Sequence, residues 1–577
     1  MSSATHRRPR PPARLPLAGT LRLNRPSDIW FKPALSVVAA VAPPNLLLLA
    51  LGRLDLAMYT MAGSLCALYA HNRPYAARAR ALAWVVLGMT GGLAVALLTA
   101  SLTANTVVLV TVGALLAAAQ KTLCDATRVG PPGNIVLTFI SSASLFVPQT
   151  PGQIPGHLVL ALAAGAWAWL IGMAPGLARP HGPERRATAQ ALDVAAAYAA
   201  AHRPGDSDGA PAVGPTGTQD GHARARAAAA VHASWQTLLW ARDSEPRRAL
   251  QRLLVRAEVA LAAPTDSDPD RLRAWARLLR GTGAVPRPDD LVDDDELLGL
   301  DATLAVGQPP LWRRFGPLAP LAVRTALGCA LAGYVSLALG IGRPYWALVT
   351  AASLYQANVT LTWSRGLQRV VGNLVGVLAF AVLVPLAHLH QAVLVLVCLA
   401  LNFGAEALIS RNYWLGSVCV TPMALLITEF ARYQDAGELI TERVVDTLVG
   451  ALVGFAAAVA VTDRRAGDRL GHALMAAERA REDVAHLLAE APPQSRSRPA
   501  PDALEPARRT LAAALVHLRT TADAAAGEWW QRALPEEQVM AVEQAGHRTL
   551  AATARRQGLL ARTAARDTST GAEAIRP

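Results

Sequence analysis

Apolar segments of helical length dominate the chain and fall into two blocks of six. The first block, residues 34–176, has apolar segments at about 34–52, 54–70, 81–100, 103–120, 133–149 and 156–176. The second block, residues 316–462, has six more at about 318–340, 343–359, 367–387, 391–409, 412–430 and 444–462. Several are close to about 17 residues, the lower limit for a helix that spans a bilayer. The pattern predicts an all-α polytopic membrane protein with two six-helix transmembrane blocks.

Polar sequences with helical periodicity fill the regions between and after the two blocks. Residues 177–315 are rich in Ala and Arg and are predicted to form a cytosolic helical domain. The Gly- and Pro-rich residues 203–223 are predicted to be a disordered insert in it. Residues 463–577 return to amphipathic helix and are predicted to form a second cytosolic helical domain that packs on the first. Residues 1–33 are basic, Pro-rich and without the apolar core of a signal peptide, so we predict a disordered cytosolic tail.

Composition and charge support the membrane assignment and argue against a nucleic-acid partner. Hydrophobic residues make up 52% of the chain and charged residues only 17%, which is too apolar for an ordinary soluble enzyme. The net charge of +13 could suggest nucleic-acid binding. However, residues 1–33 have seven basic residues and one acidic residue, whereas residues 177–315 have eighteen of each. The excess lies in the tail and the membrane loops, where the positive-inside rule explains it and where we expect anionic lipids as partners.

Lys and Arg residues near the segment ends predict the orientation of the chain. If the first segment starts inside, the inner side has fifteen Lys and Arg residues and the outer side has four. Besides the seven in the tail, the inner residues are Arg73, Arg78, Arg80, Lys121, Arg128, Arg365, Arg369 and Arg411. The outer residues are Arg53, Arg343, Arg432 and Arg443. Because cytoplasmic loops carry the excess of Lys and Arg, we predict a multi-pass inner-membrane protein with both termini in the cytoplasm.

Sequence patterns that indicate catalysis, cofactors or metals are absent. The five cysteines form no CxxC pair, which argues against a disulfide framework and against a zinc site. No GxxxxGK[ST] sequence provides a P-loop, and no Ser/His/Asp or paired-carboxylate pattern indicates hydrolysis. We therefore predict a protein that is not an enzyme and that uses neither a cofactor nor a metal.

A repeat within the second block predicts two three-helix units. A Tyr-Trp pair opens the second apolar segment of this block, and another opens the fifth. The sequence RVVGNLVG at 369–376 likewise returns as RVVDTLVG at 443–450. Because the copies are three helices apart, equivalent residues lie on opposite membrane faces, so the units form an inverted 3+3 repeat. Such repeats are typical of secondary transporters, whose substrate sites lie near the pseudo-twofold axis. The alternative is that helix starts commonly favour these residues and that GxxxG is a common packing pattern.

Several residues of the second block also form a family pattern. They are Arg324, Pro344-Tyr345-Trp346, Thr350, Arg365, the run Arg369…Gly372…Gly376 and its echo Arg443…Gly450. Through this pattern, residues 318–462 resemble the fusaric acid resistance-like, or FUSC, family of inner-membrane proteins. That family includes aromatic-acid efflux proteins and is similar to plant aluminium-activated malate transporters. Asn373 departs from the pattern, because the family usually has Thr there. The resemblance implies a transporter of small organic anions, often aromatic ones.

Arginine and aromatic side chains of the second block are the candidate substrate-binding residues. Arg324 lies about two turns into the first helix of the block, where its guanidinium could bind a carboxylate in bidentate geometry or extend to the headgroups. Arg369 is closer to the interface, where lipid anchoring is the alternative. The aromatic candidates for stacking on a substrate, or for anchoring at the membrane interface, are Tyr345, Trp346, Tyr413 and Trp414.

Two carboxylates are the candidate proton-coupling residues. A charge at the bilayer centre costs about 2.5–3.5 kcal/mol on insertion scales, so a charge retained there suggests function. Asp446 replaces Gly372 of the other unit and could carry a proton, whereas the alternative is an i,i+3 ion pair with Arg443. Glu406 is the second candidate, with a cap or loop contact as the alternative. The residues with a predicted structural role are Gly372, Gly376, Gly450, Gly454 and Arg443.

These observations predict an inner-membrane efflux transporter of small aromatic or other organic acids, driven by the proton motive force. One alternative is an organic-anion channel similar to the plant malate transporters, which needs a continuous pore and no coupling. Another is a membrane scaffold or sensor without transport, whose helical domains bind a partner. The sequence also leaves a homodimer open.

Overall fold

The computed structural model describes residues 15, 17, 19–23, 29–202, 217–242, 244–262, 264–286, 311–356, 358–430, 433–461, 466–489, 501–526, 535–550 and 552–553. Within these residues the regular elements are helices, and none is a strand. The prediction of an all-α polytopic membrane protein is therefore confirmed.

The first block consists of six helical segments in chain order. They are α1 (Phe31–Ala50), α2 (Ala57–Ser64, extended by 3-10 turns to Leu54–Leu68), α3 (Tyr75–Leu102), α4 (Thr106–Thr127), α5 (Ile135–Leu145) and α6 (Ile154–Met173). Local sequence fixes some of the boundaries. The Asn105 side chain accepts hydrogen bonds from the Val107 and Val108 amides and so caps the N-terminus of α4.

Four helices follow in the middle of the chain and form the middle domain. They are α7 (Gly182–Ala200), α8 (Gly217–Trp240), α9 (Glu245–Ala262) and α10 (Pro269–Arg280). Their apolar faces meet in one core that contains the buried side chains of Leu192, Leu238 and Leu253. Of the predicted disordered insert, residues 203–216 lie outside the described residues. The remainder, from Gly217 onward, is the first part of α8 and is helical.

The second block also consists of six helices. They are α11 (Leu311–Ala338), α12 (Tyr345–Leu354), α13 (Val359–Ala387), α14 (Gln391–Ile409), α15 (Tyr413–Thr428) and α16 (Ala436–Ala460). Helix α13 begins earlier than the apolar pattern predicts. The reason is local, because the Asn358 side chain accepts a hydrogen bond from the Leu361 amide at 2.8 Å and caps the helix there.

The carboxyl-terminal domain contains α17 (Ala466–Ala489), α18 (Pro501–Ala526) and α19 (536–550). These helices share a hydrophobic core of their own. The domain packs on the middle domain, as the sequence predicts. Arg508 Nη1 of α18 lies 2.9 Å from Glu258 Oε2 of α9 in an ion pair between the two domains. The two domains therefore lie on the same face of the membrane blocks, which we call the domain side.

Helix length separates the twelve apolar segments into two groups. In the described part of the chain, eight helices are long and apolar enough to cross a membrane. The shorter apolar helices are Leu54–Leu68, Ile135–Leu145, Tyr345–Leu354 and Tyr413–Thr428. At about 1.5 Å per residue, α12 extends only about 15 Å, which is half of a hydrocarbon layer of about 30 Å. The sequence pattern predicted these four segments to be longer.

The four short helices occupy equivalent positions, since each is the second helix of a three-helix unit. In each block, the third helix of one unit packs against the short helix of the other unit. Thus α3 packs on α5 and α6 on α2, while α13 packs on α15 and α16 on α12. The same exchange of helix contacts between three-helix units therefore recurs in both blocks. Short helices in corresponding positions of repeated halves are the usual location of transporter binding sites.

Glycines allow these exchanged helices to approach closely in the second block. A Cβ atom on Gly372 of α13 would lie 2.5 Å from Trp414 O of α15. A Cβ atom on Gly450 of α16 would likewise lie 2.5 Å from Ala347 O of α12. Gly376 meets Thr421 and Gly454 meets the α12 backbone in the same way. The glycines of the sequence repeat thus have equivalent packing positions in the two units.

Candidate functional site

The pseudo-twofold axis of the second block passes through a buried polar contact. Asn373 Nδ2 of α13 donates a hydrogen bond to Thr447 Oγ1 of α16 at 2.9 Å. Asn373 and Thr447 are equivalent in the sequence repeat, and equivalent residues meet each other only near the axis that relates the units. Thr421 Oγ1 of α15 donates to Asn373 Oδ1 at 2.6 Å, so the polar chain extends across three helices. The contact marks the centre of the candidate site.

Asp446 lies directly beside this centre and is fully buried. Its Oδ1 accepts a hydrogen bond from Ser336 Oγ of α11 at 2.6 Å. Within the described residues, its Oδ2 has no hydrogen-bond partner, and no ion pair joins Asp446 to Arg443. The i,i+3 ion pair considered from the sequence is therefore not formed. The carboxylate is instead held by a single hydroxyl, which leaves one oxygen able to bind a proton.

Arg443 lies one helical turn before Asp446, with only 1% of its surface exposed. Its Cζ lies 4.1 Å from the centroid of the Trp346 ring of α12, a cation–π contact. In the described part of the structure, Nε and Nη1 of Arg443 have no hydrogen-bond partner. Buried donors are nearly always satisfied in folded proteins. An unpaired buried guanidinium therefore suggests an acceptor supplied by a ligand.

Arg369 is the repeat equivalent of Arg443 and is also buried, with 3% exposure. It faces the other short helix, since Arg369 Nη1 donates to Tyr413 Oη of α15 at 3.0 Å. The Arg365 guanidinium packs on the ring of Tyr413, with Arg365 Cζ 4.0 Å from the ring centroid. The two arginines of the repeat thus each meet an aromatic side chain at the start of the short helix of the other unit.

Tyr345 and Trp346 are buried inside the protein at the start of α12. Their rings lie 5.6 Å from Phe146 and 5.5 Å from Phe139, both at or near α5 of the first block. All ten residues of α12 are buried. Anchoring at the lipid interface requires exposure to lipid, which these two side chains lack. Trp414, by contrast, is half-exposed at the domain side.

An ion pair closes the site on the side opposite the domains. Glu442 of α16 pairs with Arg343, which precedes α12. Glu442 Oε1 also accepts a hydrogen bond from the Gly342 amide at 3.2 Å, and Arg343 donates to Gln434. Sequence reasoning missed Glu442, although two arginines predicted on the outer face, Arg343 and Arg443, signalled the need for an acidic partner.

A cavity of about 440 Å³ opens between the two blocks on the domain side. It is lined by the α4–α5 connection, the end of α12 and the side chain of Arg365. Its charged residues are Lys121, Asp125, Arg128 and Arg365, and Lys121 pairs with Asp125 at 3.1 Å. The two arginines therefore leave the cavity positive. Because Arg365 also packs on Tyr413, the cavity borders the Arg369 end of the candidate site.

A short stretch of the amino-terminal tail lies against the domain side of the second block. Thr20 O accepts hydrogen bonds from Gln368 Nε2 at 2.9 Å and from Asn412 Nδ2 at 3.1 Å. Leu21 O accepts one from Trp414 Nε1 at 3.2 Å. Most of the predicted disordered tail lies outside the described residues. Residues 19–23, however, make specific contacts that the charge and composition of the tail did not predict.

Arg324 and Glu406 are not brought to this centre. The Arg324 guanidinium donates to Val461 O at 2.7 and 3.0 Å, just beyond the end of α16. Val461 is fifteen residues beyond Asp446, or about 22 Å along the chain direction of a helix. Glu406 is half-buried on α14, and within the described residues its carboxylate has no hydrogen bond or ion pair. Ser336, Thr421 and Asn373 take part instead, and as single hydroxyl or amide residues in apolar helices they gave little sequence signal.

Comparison with known proteins identifies the second block. Residues 330–457 match the family model described as fusaric acid resistance protein-like. This segment is similar to the fusaric acid resistance protein-like family, and the match covers less than half of the chain. No curated protein and no solved structure matches the chain. The family consists of membrane transporters, and the matched segment, from α11 to α16, includes Ser336, Arg443 and Asp446 but not Arg324.

Proposed function

We propose that the protein exports small organic acids, including aromatic ones, across the inner membrane and is driven by the proton motive force. The observation that supports this most directly is Arg443, a buried guanidinium whose Nε and Nη1 have no partner in the described residues. It lies one turn from the pseudo-twofold centre. A transporter site needs such a group, because the ligand must supply an interaction that the empty protein leaves open.

The chemistry of Arg443 favours a carboxylate ligand. A guanidinium presents two parallel N–H groups that match the two oxygens of a carboxylate. The ring of Trp346 lies 4.1 Å from Arg443 Cζ and provides an apolar wall beside the charge. An aromatic acid would therefore find a partner for its charge and a surface for its ring. The positive cavity on the domain side would attract the same anions from the cytoplasm.

Asp446 is the residue to which we assign the coupled proton. It lies within one turn of Arg443, and its Oδ2 lacks a hydrogen-bond partner in the described part of the chain. In an export cycle, the anion would leave on the outer side and Asp446 would then take up a proton there. Outward movement of an anion and inward movement of a proton are both favoured by a proton motive force that is negative and alkaline inside.

Flux measurements in proteoliposomes test this function. We expect vesicles containing the full-length protein to accumulate radiolabelled benzoate against its gradient when a pH gradient and a membrane potential are imposed together. Arg443→Gln should abolish accumulation, whereas Arg411→Gln, at an exposed arginine of the same block, should not. Passive current that follows voltage, without accumulation, would instead support the anion channel. Absence of any benzoate flux with correctly folded protein would contradict transport of aromatic acids.

A further inference from the structure

A second basic cavity, separate from the candidate transport site, lies where the first block joins the middle domain. It has a volume of about 300 Å³ and is bounded by the start of α1, the segment between α6 and α7, and the end of α10. Its lining residues include Phe31, Lys32, Arg179, Arg185 and Arg186. Because the segment between α6 and α7 connects membrane and domain, the cavity lies at the membrane surface on the domain side.

The charged side chains that line this cavity are all cationic, and two of them have internal partners. The Arg185 guanidinium donates to Leu279 O at 3.1 Å and to Gly283 O, and so fixes the end of α10. Arg280 forms an ion pair with Asp193. These two arginines therefore have a structural role and do not depend on a ligand.

The side chains of the other three cations, Lys32, Arg179 and Arg186, form no ion pair or hydrogen bond within the described residues. Glu184 is an acidic residue in the first turn of α7. It is buried, its Oε1 lies 4.0 Å from His181 Nδ1, and burial raises the pKa of its carboxyl. Glu184 and Arg186 interact electrostatically, so one carboxylate faces three cations and the local field remains positive. Three like charges around one cavity repel one another unless an anion lies between them.

The apolar side chains beside the cavity indicate which kind of anion it binds. Leu177 is 92% exposed, two residues before Arg179, and Trp30 and Phe31 are also exposed beside Lys32. Large apolar side chains exposed in this way at the end of a membrane helix are in contact with lipid. The cavity thus combines a cationic interior with a lipid-facing apolar rim. A free anion would use only the interior, whereas a phospholipid would use both.

We propose that this cavity binds the phosphate headgroup of an anionic phospholipid from the leaflet on the domain side. The phosphate is bound by Lys32, Arg179 and Arg186, and the acyl chains lie against Trp30, Phe31 and Leu177. Such a lipid connects α1 of the membrane block to α7 of the middle domain through a shared ligand. This binding is independent of the transport function proposed above.

Native mass spectrometry of the delipidated full-length protein tests the proposal. The protein is titrated with phosphatidylglycerol and, separately, with phosphatidylcholine of the same acyl chains. We expect the first phosphatidylglycerol to bind at least tenfold more tightly than phosphatidylcholine. The double variant Arg179→Gln/Arg186→Gln should lose this preference, and Arg179→Lys/Arg186→Lys should keep most of it. Arg80→Gln/Arg411→Gln, which removes two exposed arginines outside the cavity, should leave it unchanged.

Two results would overturn the proposal. One is an unchanged lipid preference in the Arg179→Gln/Arg186→Gln variant, with circular dichroism showing a native helix content. The other is displacement of bound phosphatidylglycerol by millimolar inorganic phosphate together with equal affinity for the two lipids, which would identify a site for free phosphate. If phosphatidylglycerol stays bound in the presence of inorganic phosphate, the result supports a phospholipid as the ligand of the cavity.

Discussion

The two units of the second block have the same order of helices, and the equivalent positions 372 and 446 differ between them. Gly372 of α13 is packed tightly against Trp414 and Ser417 of α15, with no space for a side chain. Asp446 of α16 instead carries a carboxylate that reaches Ser336 of α11. The arginines differ in degree: Arg369 Nη1 donates to Tyr413 and only its Nε is without a partner among the described residues, whereas both Nε and Nη1 of Arg443 are. The copy that contains Arg369 is therefore better satisfied by the protein itself than the copy that contains Arg443.

This difference shows how an inverted repeat can divide two roles between two copies. Close packing at Gly372 joins the units, and the polar position at Asp446 provides the proposed chemistry. A symmetric pair of carboxylates beside the axis would place two like charges in a buried region. A symmetric pair of glycines would leave no proton site. The asymmetry avoids both outcomes.

The largest expected effect is that of Arg443→Gln. Removing the charge that binds the substrate carboxylate should weaken binding by about 2–5 kcal/mol, or about 30-fold or more. Arg369→Gln should have a smaller effect, because its partner is Tyr413 of the protein. Benzoate uptake into proteoliposomes, normalised to the amount of folded protein, measures both. If the two variants lose activity equally, the division of roles between the arginines is wrong.

Asp446→Asn should reduce uptake driven by a pH gradient by about tenfold while leaving benzoate exchange at equal pH largely intact. The amide keeps the size of the side chain and can still accept from Ser336, but it carries no proton in a cycle. Glu438→Gln, at an exposed position of the same helix, is the control. If uptake driven by a pH gradient survives in the Asp446→Asn variant, this residue is not the proton site.

Gly372→Ala should destabilise the protein without changing any charge. Its Cβ atom would lie 2.5 Å from Trp414 O and from Ser417 Cβ, and overpacking of this kind costs about 1–3 kcal/mol. Gly366→Ala, on the same helix, has ordinary contact distances, the nearest being 3.7 Å, and should be tolerated. Thermal unfolding of the purified proteins in one detergent distinguishes them. Equal midpoints would show that α13 and α15 can separate at little cost.

The smallest expected effect is that of Tyr413→Phe. It removes one hydrogen bond to Arg369, and such a bond contributes about 0.5–1.5 kcal/mol. We expect a reduction in uptake of about two- to tenfold, with the stacking contact of Arg365 preserved. Tyr433→Phe, at an exposed tyrosine, should have no effect. A loss as large as that of Arg443→Gln would move the substrate contact from Arg443 to the Arg369–Tyr413 pair.

Much of the architecture follows from the sequence, because apolar periodicity and helix-terminus residues are local signals. The apolar helices of the two blocks and the helical character of the polar regions could be predicted in this way, and the repeat at 443–450 is visible in the sequence. The shortness of α12 could not, because its flanking apolar residues look like a continuous span. The 3+3 arrangement of the first block was also missed, since that block lacks the Tyr-Trp pairs.

The candidate site could be predicted only in part. Asp446 and Arg443 stood out because a charge in an apolar helix is costly. Their neighbours Ser336 and Thr421 did not, since hydroxyl residues are common in membrane helices and their roles depend on contacts between distant helices. Arg324, by contrast, was predicted to be a site residue but lies away from the candidate site. Its charge drew attention, but its partner is the Val461 carbonyl at the end of α16.

Helix α12 has a further consequence through its backbone. Its second residue, Trp346, contacts Arg443, and no side chain caps its N-terminus, whereas Asn412 caps α15. The aligned peptide dipoles of a helix place about half a positive charge at its N-terminus. The positive potential of the helix N-terminus adds to that of Arg443. Because it comes from the backbone, it does not change with pH, and no side-chain substitution removes it. Some attraction for anions should therefore persist at any pH, even after the arginine is lost.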